Sequence, residues 1–234
     1  MGKYINEACI IAFGMICLGK CIRDGATTIG MNDRTVNVKG LAEMQVPANK
    51  VIWPLMYKNL GNDLTALYSD IKKSNQTILN FLKEKGITED EISVNAPEII
   101  DLKAERYNRN DKSPYRYNVT SVITVTSSKV DLVRSLISEQ GELLKRGIAI
   151  TSGDYRYNVQ YEFTGLNDIK PKMIEEATKN ARKAAEQFAK DSNSELDKIK
   201  HANQGQFSIT NRDANTPYIK NIRVVTSITY SLDN

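Results

Sequence analysis

The sequence contains little of the chemistry on which most enzyme sites depend. His201 is the only histidine, and the three cysteines, Cys9, Cys17 and Cys21, all lie within the first 21 residues. The rest of the chain therefore has neither the His/Cys spacing of a transition-metal site nor a Cys–His nucleophilic pair. It also has no internal disulfide, which a folded part of this length does not need for stability.

Glycine-rich and serine-centred motifs are absent as well. No G-x-G-x-x-G or Walker sequence predicts a phosphate-binding loop, and no G-x-S-x-G surrounds a serine. A serine triad would have to use His201, and a lone histidine on a strand edge is far more often structural or exposed. The acidic run Glu89-Asp90-Glu91 follows a helix end, where solvated charge is the better interpretation. We therefore assign no catalytic, cofactor-binding or metal-binding residue, and we expect no cofactor and no enzymatic activity.

Charge is not concentrated in any part of the chain. The 32 basic and 28 acidic residues give a net charge of +4, and they are scattered without a Lys/Arg stripe. Such a stripe is the usual footprint of a phosphate backbone, so nucleic acid is not an expected partner. With 41% hydrophobic and 26% charged residues, the composition is that of a soluble globular protein with a sizeable core.

One long apolar run stands out near the N-terminus, from Ala8 to Gly19. It has the length of a signal-peptide core and is short for a complete membrane span. No clean A-x-A cleavage site follows, and Lys20 before Cys21 does not fit a lipoprotein. Residues 1–23 are therefore predicted to be a cleaved signal peptide or an uncleaved membrane anchor, with a buried soluble helix as the third alternative. Residues 24–33 are predicted to be a polar linker.

The clearest helical pattern lies between Leu166 and Lys190. Pro171 predicts the start of the helix, because proline fits the first turn, and the polar run at residues 191–194 predicts its end. Small and apolar residues recur every three or four positions, which places them on one face. That face is mostly alanine, so we expect it to lie flat on a sheet, with the two largest side chains as anchors. Its predicted members are Ile174, Ala177, Ala181, Ala184, Ala185 and Phe188.

The remaining pattern predicts two more helices and a set of strands. The first helix begins at an Asp63 cap and ends at Gly86, and the second begins at Val130 and ends before Gly147. Pro54 indicates that its strand is an edge strand or bulged. The fold class is therefore α+β, with antiparallel or mixed sheets packed against about three helices in one domain of residues 34–234. The predicted strands are residues 34–46, 50–60, 92–102, 115–126, 148–150, 155–163, 199–210 and 222–232, with a hairpin loop at 103–113.

A five-residue sequence occurs twice, as Tyr-Arg-Tyr-Asn-Val at residues 115–119 and again at 155–159. Each copy is predicted to open a strand that leads into a helix. The Tyr/Arg pairs can stack on a partner, but tyrosines on a half-buried face with arginines on the wet one are the favoured interpretation.

Three passages resemble the SIMPL-domain family of bacterial envelope proteins. They are the opening strand and its turn, at residues 35–40 (TVNVKG) and 46–48 (VPA), the alanine-rich helix at 177–189, and the closing strand at 222–230. The resemblance spans about residues 34–232. The family includes a periplasmic immunogenic protein and proteins linked to oxidative-stress defence.

The resemblance implies an exported α+β domain, and it brings no established catalytic residue. Some relatives assemble into large ring-like homo-oligomers, which free sheet edges near either terminus would permit here. The sequence departs from many relatives at Leu41, which follows the glycine, and at residues 191–197, where relatives often carry glycines.

The leading functional hypothesis is a non-enzymatic, exported cell-envelope protein that acts as a homo-oligomeric scaffold or a stress-protective factor. It would contact the membrane through residues 1–23 and lie in the periplasm or envelope, either free or anchored in the inner membrane. The alternative is a periplasmic module for an unidentified small ligand or peptide, in a cleft beside the Tyr/Arg strand edges. A hydrolase without a recognisable motif is the least favoured hypothesis.

Overall fold

The computed structural model describes residues 3–31, 34–104, 113–151 and 154–233. These residues form an α+β fold with antiparallel sheets, as predicted, but with five α-helices rather than about three. The helices are α1 (Lys3–Met31), α2 (Leu64–Glu84), α3 (Val130–Glu139), α4 (Gly141–Lys145) and α5 (Leu166–Asp191). The strands are β1 (Thr35–Pro47), β2 (Lys50–Gly61), β3 (Ile92–Val94), β4 (Glu98–Asp101), β5 (Tyr117–Ser127), β6 (Gln160–Glu162), β7 (Glu195–Gln204), β8 (Ser208–Asn211) and β9 (Ile219–Asp233).

The chain divides into two compact units. The second unit consists of Gln45–Leu166 and Thr210–Asn221, and the first holds α1, most of β1, α5, β7 and most of β9. Each unit has its own sheet, with strand order β1-β9-β7 in the first and β3-β5-β2-β6 in the second. β8 pairs with β9, and β4 pairs with β5.

In the first unit, α5 packs against the sheet through its alanines. Ala181 and Ala185 form a buried cluster with Val38, Ile228 and Tyr230. The sheet allows this close packing because β1 carries a glycine under the helix. A Cβ atom at Gly40 would lie 1.8 Å from the carbonyl oxygen of Ala177, inside its van der Waals radius. Gly40 thus has a packing role in β1.

The predicted start of α5 and its predicted anchor Phe188 are wrong, whereas the other predicted anchor, Ile174, is half-buried. The helix begins at Leu166, and Pro171 lies inside it. Its missing N–H affects only the hydrogen bond to the carbonyl of Asn167 near the helix start, so the helix tolerates it. The predicted anchor Phe188 is 59% exposed. The buried row follows a strict four-residue spacing that brings in Met173, and its members are Met173, Ala177, Ala181, Ala185 and Ala189. The predicted end at the polar run is confirmed.

The core of the second unit lies between its sheet and helices α2, α3 and α4. β2 and β5 pair antiparallel over their whole lengths, from Val51 opposite Ser127 to Gly61 opposite Tyr117. The largest fully buried side chains in this core are Trp53, Leu55, Ile78, Phe81, Leu82, Ile123, Leu136 and Leu143. The predicted cap of α2 is confirmed, because the carboxylate of Asp63 accepts from the backbone N–H groups of Thr65 and Ala66 at 2.6 and 3.1 Å.

Two strand predictions in this unit need correction. Residues 92–102 form two short strands, β3 and β4, on either side of Pro97. Of residues 155–163, only Gln160–Glu162 form a strand, while Tyr155–Tyr157 form a 3-10 turn. The carboxylate of Asp154 caps that turn by accepting from the backbone N–H of Arg156 at 3.0 Å. Local hydrogen bonds therefore outweigh the alternating pattern.

Pro54 does not mark an edge strand, because β2 lies between β5 and β6. On the side of β2 that faces β6, however, no strand pairing among the described residues reaches Pro54. The β6 pairing extends only to Ile52, and the next contact is the bridge between Tyr57 and Ile150. A proline fits this gap because no N–H is needed there.

The C-terminal strand prediction at residues 199–210 corresponds to two strands, β7 and β8. Most of the predicted hairpin loop at 103–113 lies outside the described residues. The helix α1 continues through residues 24–31, part of the predicted linker. None of the helices in the described part of the chain combines the length and apolarity of a membrane span.

Candidate functional site

The two Tyr-Arg-Tyr-Asn-Val copies hold their arginines in local ion pairs. The guanidinium of Arg116 donates to Asp101 at 2.9 Å and lies 5.1 Å from the ring centroid of Tyr117. The guanidinium of Arg156 does the same with Asp154, at 2.8 Å. These hydrogen bonds lower the pKa of both carboxyl groups. The favoured interpretation of half-buried tyrosines is confirmed for the second tyrosine of each copy, but the first is exposed.

One cleft in the second unit lies between α3 and the turn that joins β8 to β9. Its volume is about 540 Å³. Five lining residues come from α3, one from β6 and three from the turn: Asp131, Arg134, Ser135, Ile137, Ser138, Tyr161, Asn215, Pro217 and Tyr218. We call it the Arg134 cleft. Of these residues, only Tyr161 lies on a strand whose Tyr/Arg edge the sequence analysis offered as a binding cleft.

The turn on one side of the cleft is held by Asp213. Its carboxylate accepts from the backbone N–H groups of Asn215 and Thr216 at 2.9 and 2.7 Å, and from the hydroxyl of Thr216. These hydrogen bonds, together with a further one from Arg212, lower the pKa of the Asp213 carboxyl group to about 2. Tyr218, which follows this turn, is therefore held at the cleft by an ordered segment.

An arginine stacked on a tyrosine is the central feature of the cleft. The guanidinium carbon of Arg134 lies 3.6 Å from the ring centroid of Tyr218, a cation–π contact worth about 0.5–2 kcal/mol. The ring of Tyr161 meets that of Tyr218 edge to face, with 6.1 Å between centroids. Burial raises the pKa of Tyr161, and the charge of Arg134 opposes that rise.

Arg134 has hydrogen-bonding capacity left over. Its Nη1 donates to the carboxylate of Asp131 at 3.1 Å, while Nε and Nη2 have no acceptor among the described residues. The phenol groups of Tyr161 and Tyr218 have no hydrogen-bond partner within the same ranges either. A guanidinium presents its donors in a planar fork that matches a carboxylate. The lining is therefore suited to binding a flat, acidic group.

Lys220 lies two residues after the cleft residue Tyr218 and is itself buried. Lys220 is 7% exposed, and its amino group donates to the side-chain oxygen of Asn211. Burial lowers the pKa of Lys220, and the nearby carboxylate of Glu162 opposes that shift. Glu162 also pairs with Lys50 at 3.1 Å. Glu162 is thus ion-paired with Lys50 and acts on Lys220 only through its charge.

The cleft has no obvious nucleophile. The hydroxyls of Ser135 and Ser138 donate to backbone carbonyls of their own helix, at 2.7 and 3.4 Å. His201 lies exposed on β7 in the other unit and makes no side-chain hydrogen bond to any described residue. Across the described ranges, no three His, Cys, Asp or Glu side chains come close enough to hold a metal ion. The cleft can therefore bind a ligand through stacking on its aromatic rings and through hydrogen bonds donated by Arg134.

Comparison with known proteins gives one family match. The family model described as SIMPL, protein of unknown function (DUF541), matches residues 36–228, which is most of the chain. None of the curated proteins compared with the chain matches it.

Proposed function

Because the chain belongs to the SIMPL family, we propose that it is a non-enzymatic cell-envelope protein, exported or anchored through residues 1–23. In this proposal the folded part acts in the periplasm as a homo-oligomeric scaffold or a stress-protective factor. The observation that carries it is the exposure of the apolar side chains of α1.

Seven large apolar side chains of α1 are between 61% and 71% exposed. At 100° per residue they project all around the helix, so α1 has no single apolar face to lay on a protein surface. Full burial of each would contribute about 1.5–3 kcal/mol. A helix that is apolar all round is typical of an apolar environment, and the export machinery and the membrane both provide one. The seven side chains are Ile10, Ile11, Phe13, Met15, Ile16, Leu18 and Ile22.

Cell fractionation tests the export proposal. The full chain, tagged at its C-terminus and expressed in a bacterium, is expected in the envelope fraction. Intact mass then separates a cleaved signal from a retained anchor. The double variant Ile10→Asp/Ile16→Asp should remain in the cytoplasm, because charges in the apolar core block insertion. The matched control Leu144→Asp changes a side chain of similar exposure on α4 and should still be exported.

A wild-type chain found in the cytoplasm with its N-terminus intact would contradict the export proposal. The stress-protective half has its own test, in a strain from which the gene is deleted. Full resistance of that strain to peroxide and envelope stress would rule it out while leaving the scaffold half standing.

A second candidate function is a binding module, favoured by the unused donors of Arg134. The cleft would take an aromatic or otherwise flat carboxylate, with the acid group on Arg134 and the flat body against Tyr161 and Pro217. Benzoate should therefore raise the melting temperature of the full chain, while neutral benzyl alcohol should not. Arg134→Gln should abolish the difference, and Arg182→Gln, which changes an exposed arginine on α5, should preserve it. Equal effects of the two compounds on the wild type would exclude the carboxylate site.

A further inference from the structure

A second, more apolar groove runs along α2 in the second unit. Its volume is about 310 Å³. One wall is a stripe of α2 and the other is the segment that joins β3 to β4. The lining residues are Tyr68, Ile71, Lys72, Asn75, Gln76, Leu79, Val94, Asn95 and Pro97. We call it the α2–β3 groove.

The β3 wall of this groove is an unpaired sheet edge. Among the described residues, β3 pairs only with β5. The N–H of Asn95 donates to the carbonyl of Val122 in β5 at 3.0 Å, so the backbone groups of Asn95 face β5. Because backbone groups alternate sides along a strand, Val94 directs its N–H and C=O away from β5. The preceding outward residue is Ile92, whose N–H already bonds to the carbonyl of Glu89.

The edge therefore offers three backbone groups to an incoming strand. They are the N–H and C=O of Val94 and the C=O of Ile92. An unpaired edge of this kind is a template for adding another strand. Only an extended chain can use these groups, because a helix satisfies its own backbone hydrogen bonds.

The groove beside this edge is suited to apolar side chains. The side chain of Val94 is 50% exposed and that of Tyr68 is 67% exposed, although both are large and apolar or aromatic. Asn75 on the helix wall is held in place, because its side-chain oxygen accepts from the hydroxyl of Tyr57 at 2.8 Å. One wall is thus a fixed surface, and the volume is enough for one or two side chains of a bound peptide.

The positive charge of Lys72 favours an acidic side chain on the bound peptide. Among the described residues, Lys72 is the only charged one that lines the groove, and it also lines a neighbouring hollow on α2 together with Lys73. Lys72 thus belongs to the lining of the groove, and Lys73 belongs only to the neighbouring hollow. An acidic side chain on the bound segment would pair with Lys72, whereas a basic one would be repelled.

We propose that the α2–β3 groove binds an extended peptide segment from another protein, which adds a strand to β3. An apolar side chain of the peptide enters the groove beside Leu79 and Val94, and an acidic side chain pairs with Lys72. This site is separate from the Arg134 cleft and does not depend on where the protein acts. The recognition mode is strand addition, in which backbone hydrogen bonds give affinity and side-chain contacts give selectivity.

The test uses the full chain and a phage-displayed library of random heptapeptides, followed by titration calorimetry with synthetic copies of the enriched sequences. We expect enrichment of peptides that combine a β-branched or other apolar residue with an acidic one. Val94→Pro removes the outward N–H without touching the ladder to β5, and it should weaken binding about tenfold. Val94→Thr keeps that N–H and should bind within about threefold of the wild type.

A charge reversal supplies the second arm. Lys72→Glu should weaken binding of the enriched peptides about three- to tenfold, whereas Lys145→Glu on α4 should leave it unchanged. Circular dichroism and melting curves establish that each variant is folded. The proposal is overturned if no peptide is enriched, or if the enriched peptides bind Val94→Pro and Lys72→Glu as tightly as the wild type. If Val94→Pro instead dissociates an oligomer, the groove holds a second copy of this chain and the peptide proposal is wrong.

Discussion

At the scale of single residues, Gly40 is where the packing of the first unit has least tolerance. Any side chain there meets the backbone of α5, which cannot move aside as the end of a flexible side chain can. The second contact of an added Cβ would be the backbone nitrogen of Ala181, at 2.5 Å. The helix would have to lift from the sheet, which would open the cluster around Val38 and Ala185.

Gly40→Ala should therefore lower the free energy of unfolding by about 3 kcal/mol, the upper end of the usual range for overpacking. Urea denaturation of the full chain measures this change. Gly141→Ala is the matched control, because a Cβ at Gly141 meets nothing within 4 Å and the residue lies in α4. The control should be neutral or stabilise by about 0.5–1 kcal/mol. Equal stabilities of the two variants would contradict the close approach.

Glu91 makes the second unit sensitive to acid. Its side chain is 11% exposed. It accepts hydrogen bonds from the hydroxyl of Ser127 at 2.6 Å, from the backbone N–H of Thr88 at 2.9 Å and from the amino group of Lys129 at 3.0 Å. Burial acts to raise the pKa of Glu91, but these donors outweigh it and lower the pKa to about 2.

A carboxyl group whose pKa is lower in the folded state stabilises the fold above its unfolded pKa. That stabilisation is lost as the pH falls from about 4.5 towards 2, and it is on the order of 2–3 kcal/mol. Glu91→Gln should be less stable than the wild type at pH 7 and should show a shallower loss of stability between pH 5 and 2. Asp90→Asn changes the exposed neighbour and should follow the wild-type curve. Parallel curves for Glu91→Gln and the wild type would refute this role.

At the scale of elements, α5 separates what the sequence predicts well from what it predicts poorly. The alanine periodicity identifies the helix and its buried stripe, because a helix that touches a sheet closely needs small residues at a fixed angle. The pattern does not determine which large residue at either end of the stripe is covered. That depends on what each residue meets in the folded unit, and the structure buries Met173 and exposes Phe188.

Alanine substitutions measure this difference directly. Met173→Ala should lower the free energy of unfolding by about 2–5 kcal/mol, because the side chain is fully buried. Phe188→Ala should cost less than about 1 kcal/mol, although the sequence pattern assigns it the role of an anchor. Chemical denaturation of both variants shows which of the two residues anchors the helix. A larger loss for Phe188→Ala would favour the interpretation from sequence alone.

Other elements show the same division between local and distant causes. The cap of α2 was predictable because Asp63 acts on the two N–H groups that follow it in sequence. The strand predicted at residues 155–163 failed because Asp154 and Arg156 close a turn that alternation alone does not reveal. The Arg134 cleft combines three distant segments, so no spacing in the sequence could have indicated it. The family resemblance was predictable and is confirmed, since it rests on continuous passages.

At the scale of the whole molecule, the strongest argument for assembly is the sheet of the first unit. Within the described residues, β1 and β7 each pair with β9 alone, so the sheet has two open edges. The pairing of β7 shifts register on both sides of Ile199, and bulges of this kind usually block edge-to-edge pairing. β1 is therefore the better edge for pairing with a second copy.

The pairing segment within β1 can be narrowed further. The carbonyl of Arg34 accepts from the N–H of Leu232 in β9, so every second residue from Thr35 onward points its backbone groups to the open edge. On that edge Asn180 of α5 already donates to the carbonyl of Leu41 at 2.8 Å. A second copy should therefore pair along Thr35–Lys39, ahead of the position that α5 covers.

Light scattering after size exclusion should then give a molar mass that is a multiple of the 26.3 kDa chain. Lys39→Pro removes an outward N–H and should yield the single chain, while Lys39→Thr keeps the N–H and should remain assembled. A wild-type monomer would contradict the scaffold half of the proposed function, and it would leave the Arg134 cleft and the α2–β3 groove as the surfaces on which function depends. An assembly that survives Lys39→Pro would instead exclude β1 as the contact and direct attention to the blunted edge of β7.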